Sequence, residues 1–128
     1  MNRPNSTCLF CKLDPKTIIA TNELAFAFYD GYPVTSLHTL IIPKRHAETY
    51  FDLTTDEREA CHLLLVEMKD AIQYKDDTVA GFNIGMNNGE SAGQTVLHCH
   101  IHLIPRRQGD TDNPRGGVRG VIPGKQSY

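Results

Sequence analysis

Gly93-Gln94-Thr95-Val96-Leu97-His98-Cys99-His100-Ile101-His102-Leu103-Ile104-Pro105-Arg106 decides how this chain is read. The run from Thr95 to Ile104 reads as a strand stopped by Pro105. Side chains alternate along a strand, so His98, His100 and His102 share one face. Leu97, Cys99, Ile101 and Leu103 share the other, which is apolar enough to lie against a core. Successive histidines then stand about 6.6 Å apart, at about 3.3 Å per residue, a spacing that spans a phosphate and its leaving group. Imidazoles are costly to crowd on one face unless they bond or react. His-x-His is also a metal-ligand pattern, so a zinc enzyme built on His98, His100 and His102 is a rival reading.

The flanking sequence supplies the rest of a fold. Thr17 to Ala20 and Glu23 to Tyr29 read as strands, the second with Leu24, Phe26 and Phe28 alternating against Ala25, Ala27 and Tyr29. Asp30-Gly31-Tyr32-Pro33 is turn chemistry, and Thr39 to Ile42 is a short apolar strand closed by Pro43. Thr54 and Glu57 form a capping box that opens a helix over about 55–74. Cys61, Leu64, Leu65, Met68, Ala71 and Ile72 make its apolar face. Gly81 to Asn87 reads as a strand, and Asn88 to Gly93 as a loop. One long helix on antiparallel strands gives an α+β domain.

The chain has 128 residues and a net charge of −2, which suits one domain and calls for neither a nucleic-acid groove nor an anionic membrane surface. The start, Met1 to Thr7, is polar and without the apolar centre of a signal peptide, and no apolar run reaches the length of a membrane helix. A cytoplasmic protein is expected, with its four cysteines reduced. Cys61 and Cys99 sit among apolar neighbours and read as core. Cys8-Leu9-Phe10-Cys11 has metal or redox spacing. The division expected is a domain over 1–108 and a tail over 109–128. The tail holds five glycines and two prolines, so it should lack regular structure.

His98-Cys99-His100-Ile101-His102, preceded by Ala92-Gly93-Gln94-Thr95-Val96, resembles the signature of the histidine-triad (HIT) family, and His38-Thr39-Leu40-Ile41-Ile42-Pro43-Lys44 resembles its second block. The likeness runs from about Cys8 to Arg107. It implies a HIT-like α+β fold, a five-stranded antiparallel sheet with two helices, whose sheet continues across a homodimer. It also implies a nucleotide hydrolase acting at the α-phosphorus through a covalent nucleotidyl-histidine. Dinucleoside polyphosphates or nucleoside phosphoramidates would be the substrates, adenine the favoured base, and a nucleoside monophosphate the product. A nucleotidyltransferase of the same superfamily, or a nucleotide-binding scaffold without turnover, is the alternative. The third histidine, His102, leans toward hydrolysis, because the uridylyltransferase branch typically carries glutamine there.

The chemistry agrees with that resemblance. Phosphoryl oxygens repel anionic nucleophiles, and an imidazole with an ordinary pKa near ~6.5 attacks mostly as the neutral ring. The resemblance makes His100 the nucleophile, oriented by the His98 backbone carbonyl. His102 would assist the leaving group, and His38 would approach from the neighbouring strand. Gln94 and Thr95 would position the phosphoryl oxygens, Asn87 would stand near the phosphate, and Asp30 would accept from the ribose hydroxyls. Phe10, Leu24, Phe26 and Phe28 are candidates for an apolar base slot but read first as core. Some bacterial members carry a structural zinc, and Cys8, Cys11, His46 and His98 match its ligands. One departure stands out: the family often has Pro-Gly before the histidine of its second block, whereas this chain has Ser36-Leu37-His38. Glycine permits backbone angles that leucine resists, so this loop is expected to differ. In the tail, Arg115 and Arg119 are placed to reach a polyphosphate or a dimer partner.

Overall fold

A computed structural model describes residues 7–128; the polar start read above as free of a signal peptide lies, but for Thr7, outside the described residues. Five strands, β1 (Ile18–Thr21), β2 (Ala25–Tyr29), β3 (Thr39–Pro43), β4 (Val79–Gly85) and β5 (Ile101–Arg107), form one sheet in the order β1-β2-β3-β5-β4. Every neighbouring pair is antiparallel. The α-helix α1 (Thr55–Lys75) covers one face. No helix among the described residues is long and apolar enough to cross a membrane.

The α1 boundaries follow from local chemistry. The Thr54 hydroxyl accepts from the Glu57 amide at 3.1 Å, and the Glu57 carboxylate accepts from the Thr54 amide at 2.8 Å. Two otherwise unpaired donors are thereby satisfied. Cys61, Leu64, Met68 and Ile72 are buried as their spacing predicts, and Leu65 and Ala71 are half-buried at the margin. Ala60 and Glu57 join them. Burying an acid needs a partner, and Arg45 supplies it with two bonds of 2.8 Å. That pairing holds the Glu57 carboxyl down at about 2.

The small side chains Ala25 and Ala27 face α1 together with Ile41, Ile101 and Leu103, which lets helix and sheet approach closely. The opposite face carries Phe26, Phe28, Leu40 and Ile42, capped by Phe10 and Leu13 from the N-terminal segment. His102 lies on β5, opposite Leu40 of β3, so it shares this second face. The sheet is thus covered by a helix on one side and holds its polar site on the other.

Four expectations are corrected. The strand expected over Thr95 to Ile104 is Ile101–Arg107. Residues 95–100 are irregular, because the Cys99 amide donates to the Ala47 carbonyl at 2.7 Å rather than into a ladder. Pro105 does not stop the strand. The ladder with β3 ends at Leu103, and the Thr35 hydroxyl donates to the Pro105 carbonyl at 2.8 Å, so the missing N–H falls where no β3 partner is required. The two helices implied by resemblance are one α-helix and four short 3-10 turns among the described residues. The tail is irregular except at Gly117–Val121, which forms a 3-10 helix that packs on β4.

Candidate active site and metal centre

Three histidines line up beside β5. The His100 ring stands 5.3 Å from that of His102, and the His102 ring 5.1 Å from that of His38. Their tautomers follow from their partners. His100 Nδ1 lies 2.8 Å from the His98 carbonyl, which can only accept, so Nδ1 carries the proton and the Nε2 lone pair is left for attack. The Val34 amide donates to His38 Nδ1 at 3.1 Å, which puts the His38 proton on Nε2. That N–H donates to His102 Nδ1 at 2.9 Å. His102 therefore carries its own proton on Nε2. Burial, with the neighbouring charges of His100 and His38, pushes the His102 pKa down to about 4 against the pull of Asp30. Burial also lowers the pKa of His38. His102 is accordingly a neutral hydrogen-bond donor at neutral pH.

Asp30 stands at the end of β2. Its Oδ1 accepts from the Tyr32 amide at 2.8 Å, and its Oδ2 lies 3.5 Å from His38 Nε2 and 4.0 Å from His102 Nδ1. These three ligand types cluster tightly enough for a metal ion. A metal would need the Nε2 lone pair of His38, and the Val34 amide keeps the proton there. The group is a hydrogen-bonded relay that fixes His102.

Leu37 resolves the departure noted above. It adopts φ 73°, the left-handed region that glycine takes without strain. The loop keeps that conformation in spite of the leucine, and His38 meets His102. Holding a leucine there costs about 1–3 kcal/mol, offset in part by packing of Leu37 against the main core.

His98 leaves the phosphate-facing row. Its Nε2 donates to the Pro43 carbonyl at 2.8 Å, which aims the Nδ1 lone pair at Cys8 and Cys11, each 3.5 Å away. His46 Nδ1 lies 3.2 Å from Cys11 Sγ. All four ligand atoms fall within 4.8 Å of one another. A thiolate and an imidazole on one tetrahedral zinc lie about 3.5 Å apart, so the donor set and spacing fit zinc. The Pro43 carbonyl fixes the His98 tautomer that such a site requires. A zinc ion held jointly by His98, His100 and His102 is contradicted, because His98 points into the cysteine cluster.

Two candidates stay apart from the histidine row. Gln94 is buried and committed to backbone: its amide donates to the Glu48 carbonyl at 2.6 Å and to Val96 at 3.1 Å, and its carbonyl accepts from the Gly89 amide at 2.8 Å. It holds the loop that precedes His98. Thr95 is exposed beside Cys8 and His46, lining a small cavity of about 240 Å³. Asn87 does meet the site, sharing with His102 a larger cavity of about 630 Å³. On the other flank, Phe10 stands edge-on to His100 at 5.0 Å and to Phe28 at 5.6 Å, so the aromatic patch borders the nucleophile. Sequence reasoning missed Val34, which acts through its backbone and leaves no side-chain signal.

A hydrogen-bonded histidine row beside a Cys2His2 cluster, on a β1-β2-β3-β5-β4 sheet, defines a histidine-triad protein, and similarity to known proteins agrees. The HIT domain family matches residues 12–109, and the chain belongs to the HIT family. An uncharacterized 16.1 kDa HIT-like protein of Mycoplasma pneumoniae is 39% identical over 106 residues, spanning 80% of this chain and 73% of its own. The crystal structure of a zinc-bound histidine-triad family protein from Mycobacterium smegmatis superposes with a TM-score of 0.75 at 32% identity, over 82% of this chain and 78% of that one. A Plasmodium falciparum diadenosine triphosphate hydrolase gives a TM-score of 0.73 at 30% identity, over 79% and 68%.

Proposed function

We propose that this protein is a nucleotide hydrolase that cleaves at the α-phosphorus through a nucleotidyl-His100 intermediate. The observation that carries the reading is the His100 Nδ1–His98 carbonyl bond, which leaves Nε2 unprotonated beside a neutral His102 donor. The similarity to a diadenosine triphosphate hydrolase supports the reaction class. Adenine dinucleotides or nucleoside phosphoramidates are the substrates proposed. The base would lie on the Phe10 and Phe28 side, where the apolar surface is.

The steps follow from the tautomers. The Nε2 lone pair of His100 bonds to phosphorus as the bond to the leaving oxygen or nitrogen breaks. His102 Nε2–H donates a hydrogen bond to the departing atom as charge develops there. A phosphate leaves as its anion; an amide nitrogen takes up a proton from solvent and leaves as the amine. Water then bonds to phosphorus and the P–Nε2 bond breaks, its electron pair returning to His100. The water proton passes to solvent, and a nucleoside monophosphate departs. Asp30 acts here through His38 and His102; its Oδ2, which faces His38 Nε2 at 3.5 Å, is the atom proposed to receive a ribose hydroxyl as well.

Cys8, Cys11, His46 and His98 would hold a structural zinc, which ties the N-terminal segment to the strand that orients His100. A cytoplasmic location is proposed, with the cysteines reduced rather than joined in disulfides. A homodimer is proposed on the outer edge of β4, unpaired among the described residues, and on exposed Leu63 and Val66 of α1. The test is release of AMP from diadenosine triphosphate and from an adenosine phosphoramidate, with EDTA present. Turnover by wild type that His100→Ala abolishes supports the proposal; equal turnover by both proteins refutes it.

A further inference from the structure

Between Asp30 and His38 the chain leaves the sheet and runs over the surface. Tyr32 and Val34 are 93% and 67% exposed, so packing does little to place this loop. Yet the Val34 amide governs two histidines. An amide nitrogen can only donate, so His38 Nδ1 accepts from it at 3.1 Å. His38 Nε2 then donates to His102 Nδ1 at 2.9 Å, which leaves the His102 proton on Nε2. A water molecule in place of the amide could donate or accept, and either tautomer of the pair would then be allowed. Asp30 Oδ2 favours the same His38 tautomer only weakly, from 3.5 Å. The placement of one exposed peptide thus decides whether His102 presents a proton or a lone pair.

The next residue holds that peptide. The Thr35 hydroxyl donates to the Pro105 carbonyl at 2.8 Å. Pro105 lies on β5, the strand that carries His102. The ladder between β3 and β5 ends at Leu103, so no β3 amide reaches that oxygen and Thr35 supplies the donor instead. Thr35 is half-buried, while Val34 and Ser36 on either side are exposed. Arg107 steadies the same loop. Its Nη2 donates to the Ser36 carbonyl at 3.0 Å, and its Nε donates to Asp76, at the end of α1, at 3.0 Å. The bonds close a circuit. It runs from the Val34 amide through His38 to His102, along β5 to Pro105, and back through Thr35 to Val34.

We propose that Thr35 is a positioning residue that sets the tautomer of His102 from outside the reaction centre. Its hydroxyl proton is committed to Pro105, so it acts through the Val34 amide and His38. Seating that amide keeps the His102 Nε2–H available to the departing atom. The kinetic consequence rests on His102 as the leaving-group donor; the tautomer does not.

Nitrogen NMR of the histidine rings reads the tautomers without substrate. Wild type should show His102 protonated at Nε2 and bare at Nδ1. Thr35→Val, close in volume and without the hydroxyl, should give a mixture of the two tautomers, and Thr35→Ser should restore the wild-type pattern. Thr35→Ala repeats the measurement if the valine variant does not fold. An unchanged His102 pattern in either folded variant overturns the inference.

Two aryl esters of AMP, phenyl and para-nitrophenyl, supply the kinetic reading, because the phenyl oxygen needs more help to depart. A positioned donor is worth about 10²–10³ in rate where charge develops, so misplacing it for part of the time should cost the phenyl ester about fivefold in kcat/KM. The nitrophenyl ester should lose less than about twofold, and Thr35→Ser should match wild type on both. Equal slowing of the two esters by Thr35→Val marks a substrate contact or a merely structural residue and overturns the inference. His102→Ala is the reference. If it slows both esters alike, the reading of His102 as the donor has failed, and the NMR pattern decides the role of Thr35.

Discussion

His102→Gln removes the imidazole that the site pushes down to about 4, while the amide carbonyl can still accept from His38. In the unfolded chain the same ring titrates near its ordinary 6.5. On acidification through that window the unfolded state takes up a proton that the folded state refuses, so stability falls as pH falls from about 6.5 toward 4. Taking those two values, going from about pH 7.5 to about pH 5 costs the wild type about 2 kcal/mol at this position. The side chain is 23% exposed, which keeps the group sheltered enough for that conversion. Urea unfolding of both proteins at the two pH values, at matched metal content, measures it. Titrating groups away from His102, including the cysteine cluster, contribute alike to both proteins and cancel, while His38, His100 and Asp30, which act on His102, are part of what the comparison reads. Wild type should lose about 2 kcal/mol more than His102→Gln. Equal losses, within about 0.5 kcal/mol, would refute the argument that burial and neighbouring charge keep His102 neutral.

Two other perturbations read separate parts of the molecule. A strong zinc chelator should lower the thermal midpoint of wild type by several degrees and leave that of Cys11→Ser unmoved, since that variant lacks one of the four ligands; equal response of both would count against the metal centre. Arg45→Ala strands the buried Glu57 carboxylate and should cost about 3 kcal/mol at neutral pH. Because Glu57 is held down to about 2, its paired contribution is present above 4.5 and is lost as pH falls toward 2, so the gap between variant and wild type in denaturant midpoints should close over that range.

The parts of this fold that local chemistry dictates were legible in the sequence. Thr54 and Glu57 start α1 where their capping box demands, and Ile72 and its spaced partners face the sheet. The alternation that separates Ala25 and Ala27 from Phe26 and Phe28 divides helix face from site face. The strand around the histidines was read too early, because the amide of Cys99 and the side chain of Gln94 are bonded to the distant Ala47 and Glu48 carbonyls. Nothing in the spacing of Gln94 signals that its amide turns inward. Leu37 looked like an obstacle to the His38 loop and instead adopts the strained angle. The tail misled in one place for the opposite reason: glycine and proline content predicts irregularity, while Gly117–Val121 turns into a 3-10 helix and Arg115 and Arg119 stack on the Tyr128 ring. The histidine row and the Cys2His2 cluster were both anticipated from the resemblance, which also gave His98 to the cluster, and in the structure His98 turns toward Cys8 and Cys11.

The central claim is that His100 Nε2 takes the nucleotidyl group. Rapid quenching of wild type with an adenosine substrate, followed by peptide mass analysis, tests it most directly. The account predicts an AMP adduct on the peptide carrying His100, labile in acid and stable in base as a phosphorus–nitrogen bond is, and absent from His100→Ala. Product release from wild type with no adduct at any quench time, or an adduct that persists in His100→Ala, would contradict it.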